Sequence, residues 1–191
     1  METAKQDKTQ KKEPTHFILL YPVVLLIVCI LLNLFVFFVN PVVIALPSIA
    51  SIRALAIAAI LLMINHTWLM TATELTRVKF KMFATPEEWI ASKTNRKDVS
   101  EEGKYELERH HNTHRNTTEN TIYYILLSLI FVFISPSTMA TQIWLIGFPV
   151  ARLGYTYSYL KGNDNLRGAF MSLCLLSLFG MASYLFLSLF L

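Results

Sequence analysis

Charge is scarce in this chain of 191 residues: Asp, Glu, Lys and Arg make up 16%, against 54% hydrophobic residues. Soluble domains carry about a quarter charged residues, so an ordinary water-soluble fold is excluded. Cysteine is scarcer still. Cys29 and Cys174 both lie in apolar runs, which leaves no disulfide framework and no cysteine-based zinc site; they read as small buried thiols. With six glycines a collagen repeat is out, and the same apolar balance excludes disorder and a coiled coil. What is abundant is aromatic: thirteen Phe and eight Tyr are more than a chain this short can hide in a core. With a mean hydropathy of +0.45, lipid is the natural solvent for this surface.

Five apolar stretches can be marked off, at 17–39, 49–73, 121–134, 139–160 and 169–191. A helix needs about 20 residues to cross the ~30 Å hydrocarbon layer. Four stretches meet that length, and the third meets it if its helix begins near Arg115. The runs are continuous and do not alternate, which excludes a transmembrane barrel. The first, with no charge over 23 residues, exceeds the roughly 7–15 residues of a signal-peptide core and reads as a retained helix. Pro22 and Pro149 fall inside helical stretches, while Asn40-Pro41, Ser135-Pro136 and residues 161–165 mark turns.

Basic residues favour the cytosolic side of a membrane. Residues 1–16 hold four Lys, the link from Arg77 to Arg115 nine Lys or Arg, and the link from Leu160 to Arg167 two. With five crossings all three lie on one face, whereas 40–50 and 135–140 hold none. The expected organisation is a cytosolic tail at 1–16, a first helix at 17–39, and a four-helix membrane domain at 49–191 with a cytosolic loop at about 78–114. A surface helix beginning near Pro86 is one reading of part of that loop. Nine basic residues against seven acids do not make a nucleic-acid patch.

Ionisable groups in or beside the apolar runs are costly and are paired or used. At spacings of three and four, Asn116, Glu119, Asn120 and Tyr123 share a helix face, and so do Arg152, Tyr155 and Tyr159. Arg77 ends the second run and Arg167 opens the fifth, so four helices bring these groups to one depth. Two readings follow. One is an interhelical network with Arg152 or Arg115 paired to Glu119. The other starts from the surplus: four arginines face one deep carboxylate, which calls for an anionic ligand. Arginine pairs bidentately with carboxylates, and Glu119 is suited to an ammonium. A small peptide with two carboxylates, one amine and a thiol, such as glutathione, fits. A nearby arginine would favour its thiolate, Tyr155 and Tyr159 would donate hydrogen bonds, and a lipophilic partner would arrive between helices. His110 and His114 lack the converging ligands of a zinc site, and no metal is expected. His66 reads as an interhelical polar residue.

Several of these pieces, in order, resemble the family of membrane-associated proteins in eicosanoid and glutathione metabolism (MAPEG), over about residues 51–190. They are Thr76-Arg77-Val78-Lys79-Phe80, Phe83-Ala84-Thr85-Pro86-Glu87-Glu88, Glu108-Arg109 leading to His114-Arg115-Asn116-Thr117-Thr118-Glu119-Asn120, and Ala151-Arg152-Leu153 with Tyr155, Tyr159 and Arg167. The resemblance implies a four-helix protomer, to which the first helix is an addition, in a homotrimer of an internal membrane such as the endoplasmic reticulum. It implies glutathione held near the cytosolic face by Arg77, Arg115, Asn116, Glu119, Arg152, Tyr155, Tyr159 and Arg167. Arg167, with Tyr159, would serve the sulfur. The implied activity is glutathione transfer to a lipophilic electrophile, or reduction of a lipid hydroperoxide; the alternative is a non-catalytic lipid-binding scaffold of the same fold. Asn112 and Gly168 depart from the family pattern, which has arginine and, in its prostaglandin synthase, serine there.

Overall fold

The computed structural model describes residues 15–191. Of the tail at 1–16 only the last two residues are among them, and they open the first helix. The described regular structure is entirely helical: α1 (Thr15–Phe35), α2 (Ile49–Lys79), α3 (Pro86–Ser92), a 3-10 turn (Arg96–Asp98), α4 (Glu101–Phe133), α5 (Thr138–Leu160) and α6 (Asp164–Ser188). The chain is an all-α integral membrane protein. By length and apolarity α1, α2 and α6 qualify as membrane spans among the described residues. The other two long helices, α4 and α5, carry half of the buried polar residues, among them His110 and Arg152.

Helix starts follow their capping residues. Ser48, Ser100, Ser137 and Asn163 accept from the backbone N–H of Ser51, Gly103, Ala140 and Leu166, each cap contributing about 1 kcal/mol. Thr85 and Glu88 form a reciprocal capping box that starts α3 at Pro86. The Ser100 cap, with Glu101 and Glu102 on the positive end of the helix dipole, starts α4 fourteen residues before Arg115. Together with the run of α2 to Lys79, this makes most of the expected loop at 78–114 helical. At its other end α1 stops at Phe35, four residues short of the expected Val39. The N–H groups of Val36 and Phe37 both turn back to the Leu32 carbonyl at 2.9 Å, and Phe38 takes a positive φ of 51°.

The bundle consists of α2, α4, α5 and α6, with α1 laid on α6. Its core is aromatic. Tyr124 stacks on Phe148 with centroids 4.4 Å apart, and its hydroxyl donates to the Leu145 carbonyl at 2.9 Å. Trp144 packs over Gly180, where an added Cβ would stand 2.5 Å from the indole. The seam between α1 and α6 is polar at intervals, and the pairs run in parallel. Tyr21 donates to Ser172 at 2.6 Å, Cys29 to the Leu176 carbonyl at 3.3 Å, and Asn33 Nδ2 to the Gly180 carbonyl at 2.8 Å. Asn33 is fully buried; it also donates to Ser183 and accepts from Trp144 Nε1 at 3.0 Å, which ties α1 to α5. Between α1 and α2 the chain crosses the bundle end. There the N–H of Val42 and of Ala45 donate to the Ser188 and Phe133 carbonyls, satisfying terminal acceptors of α6 and α4.

Candidate functional site

The end of the bundle opposite that crossing holds the polar stripes. On α5, Arg152, Tyr155 and Tyr159 form the expected face. Arg152 is fully buried. Its Nη1 donates to Asn116 Oδ1 at 2.8 Å and its Nη2 to Met171 Sδ at 3.4 Å, while Nε has no partner among the described residues. The guanidinium lies over the rings of Tyr155, at 4.8 Å, and Phe148, at 5.5 Å. Cation–π contacts contribute about 0.5–2 kcal/mol each, against several kcal/mol to strip an ion of water. No carboxylate forms an ion pair with Arg152 among the described residues. A buried cation whose partners are a neutral amide, a thioether and the neighbouring Cys174 thiol keeps most of its charge available.

Above it is a cavity of about 380 Å³ lined by Asn116, Tyr155, Tyr159, Arg167, Gly168 and Met171. Tyr155 and Tyr159 have ring centroids 5.6 Å apart, and Arg167 lies over Tyr159 at 5.0 Å. Arg152, Tyr155, Tyr159 and Arg167 thus form a ladder along one wall, cationic at both ends. Arg167 pairs with Asp164 at 3.3 Å, but that carboxylate is largely exposed, where a surface pair contributes about 0–1 kcal/mol. A second cavity, about 240 Å³ and mostly polar, adjoins through Tyr159 and Arg167, with Tyr105, Glu108, Arg109, Asn112, Gly162 and Asp164 around it. Between α2 and α4 an apolar groove of about 630 Å³ runs past Leu55, Met63, Ile122 and Leu129 to His66 and Thr117.

Five of the expected residues therefore meet: Asn116, Arg152, Tyr155, Tyr159 and Arg167. Three do not join them within the chain. Arg77 donates to Glu74 at 2.6 Å, faces His111 at 3.5 Å and lines a separate cavity with Lys81 and Glu88. Arg115 is exposed and donates to Asn112 Oδ1 at 2.7 Å. Glu119 is exposed on α4 and is paired with neither Arg152 nor Arg115, contrary to the network expected for it. The reason is angular. Asn116, Asn120 and Tyr124 recur every four residues toward the bundle, whereas the mean direction of Glu119 and Tyr123 is offset from theirs by about 80° at 3.6 residues per turn; Tyr123 is 65% exposed. The expected stripe is thus two stripes, one inward and one outward.

Met171 and Arg109 were not foreseen as part of this region. The apolar α6 pattern gives no hint that a thioether will meet a buried arginine. Arg109, about three helical turns before the hydrophobic part of α4, is held by Glu106 at 3.4 Å and lies over Tyr105. Nearby, His110 Nε2 meets Thr76 Oγ1 at 3.0 Å. Burial holds His110 below the ordinary imidazole value, with Glu106 partly opposing. Burial and then Arg77 do the same to His111.

Fold and site together define a helical membrane protein with a buried, carboxylate-free arginine beneath an arginine- and tyrosine-lined cavity. The chain belongs to the MAPEG family, whose sequence profile matches residues 55–187. That span contains every expected site residue and leaves α1 outside. No individual curated protein matches the chain significantly. Membership places it, in general terms, in membrane glutathione-related or eicosanoid metabolism.

Proposed function

We propose that the protein is a glutathione transferase or peroxidase that activates the glutathione thiol for attack on a lipophilic electrophile or a lipid hydroperoxide. The observation that carries this is Arg152, wholly buried with no carboxylate partner among the described residues, in contact with Asn116, Tyr155 and Met171, which line a cavity that presents Arg167. Two fixed cations at one small cavity favour an anionic occupant. Among the described residues the hydroxyls of Tyr155 and Tyr159 make no hydrogen bond, which leaves both able to donate to it. Asn116 is held by Arg152 and offers its amide N–H₂ at the rim. Arg167, half-exposed at the mouth, is the residue suited to hold the sulfur's negative charge. Preset charge of this kind stabilises a thiolate without reorganisation during the reaction, and lowering a thiol pKa by one unit corresponds to about 1.4 kcal/mol.

The lipophilic partner would come from the bilayer, for which the apolar groove on α2 and α4 is one route. Arg77, Arg115 and Glu119 face out of the protomer. In the homotrimer proposed here they would complete a neighbour's cavity, with the basic end in the cytosol and the chain in an internal membrane such as the endoplasmic reticulum. Stopped-flow absorbance on mixing with glutathione at neutral pH tests the reading. A thiolate signal is expected in the wild type, and Arg167→Ala should remove most of it. Binding of lipophilic ligands with no glutathione affinity would instead favour a scaffold.

A further inference from the structure

We propose that α1, the helix outside the family match, positions the site, and that Tyr21 acts through Ser172 to fix the turn bearing Arg167. The Tyr21 hydroxyl donates to Ser172 Oγ at 2.6 Å, and Ser172 Oγ donates its single hydrogen to the Gly168 carbonyl at 2.9 Å. The chain of donors thus runs from α1 to the residue directly after Arg167, which itself lines the cavity.

That turn is packed on α5 through Arg167 over Tyr159, Phe170 against Gly154 and Met171 on Arg152, but its glycine adds nothing to this. Gly168 has no side chain, and a Cβ built there would meet nothing within 4 Å; glycine in a helix also costs about 1 kcal/mol relative to alanine. Arg167 has one ion-pair partner, and it is exposed. A serine bonding back to the carbonyl four residues earlier bends a helix slightly, so the Ser172 rotamer bears on where the turn stands. Tyr21 selects that rotamer. For Tyr21 to do so, α1 must not slide along α6. It is anchored twelve residues further on by Asn33, whose three hydrogen bonds reach Gly180, Ser183 and Trp144.

The consequence for chemistry rests on the transferase reading, since it is the thiolate that a displaced Arg167 would hold less well. Tyr21 touches no lining residue's side chain in this chain of contacts and is a positioning residue. The test uses full-length protein in lipid nanodiscs as wild type, Tyr21→Phe, Ser172→Ala and Ser172→Thr, with Tyr157→Phe as a remote hydroxyl deletion. Amide hydrogen exchange in the peptide covering 164–173 should quicken roughly fivefold in Tyr21→Phe and at least as much in Ser172→Ala. Ser172→Thr should restore it and Tyr157→Phe leave it unchanged. The pH profile of thiolate formation from glutathione should move to higher pH in the same two variants. Exchange in Tyr21→Phe equal to wild type, or quickened evenly along all of α6, overturns the proposal. So does a quickened turn with an unmoved thiolate profile. If the turn quickens locally but the wild type forms no thiolate, the transferase reading falls and the positioning of the turn stands.

Discussion

Two side chains in this bundle are equally buried and differently served. Asn33 and Arg152 are both fully removed from solvent. Asn33 spends its amide completely: two donations from Nδ2 and one acceptance at Oδ1, all to groups on α5 and α6. Arg152 has five N–H groups to place. Its partners are all neutral: one amide, one thioether, which is a weak acceptor, and the Cys174 thiol beside it, while its Nε has none among the described residues. A closed donor set holds helices together. An open one, charged and next to a cavity, is disposed toward a ligand.

The comparison breaks first on Arg152→Leu. Glutathione turnover is expected to fall by roughly 10²-fold or more, as for loss of a preset charge-stabilising donor. The thermal midpoint should hold or rise, because an apolar side chain of similar bulk removes a buried charge with no carboxylate partner. A midpoint loss matching that of an Asn33 variant would make Arg152 a structural residue. Asn33→Leu is the converse. It strands the Trp144 N–H and should cost about 1–3 kcal/mol of stability, seen as a lower midpoint, with turnover per folded molecule kept if Tyr21 stays in place. The smallest effect concerns pH. His110 and His111 have folded values held below the ordinary imidazole value, so the unfolded chain takes up protons first as pH drops through about 6.5. Their stabilising share is full above that value and is lost as pH falls toward the folded values. Melting at about pH 5 should lie below melting at about pH 7.5, and the gap should narrow in His110→Gln.

Much of the architecture was legible because apolar runs and caps are local. α5 and α6 start where Ser137 and Asn163 cap them, close to where hydropathy rises. The long polar first half of α4 was not legible from hydropathy, since its helix is set by Ser100 and by packing against α2; Phe80, for one, lies against Gly103, where an added Cβ would come within 2.9 Å of it. For the site, spacing on α5 gave Arg152, Tyr155 and Tyr159 correctly as one face. On α4 the same spacing argument joined Asn116 to Glu119, because a three-residue step is close enough to one face on paper and yet far enough to turn from bundle to exterior. The partners of Asn33 and the Arg152–Met171 contact depend on helices distant in sequence, and no local pattern encodes them.

Asn33 and the Gly180 carbonyl are 147 residues apart. A ribosome adding about 5–20 residues per second takes on the order of 7–30 s to cover that interval. α1 is therefore made well before its partners: the Asn33 amide is synthesised long before the indole and the carbonyl that will answer it exist. Vectorial synthesis thus leaves the Asn33 amide without its native partners until α6 has been made.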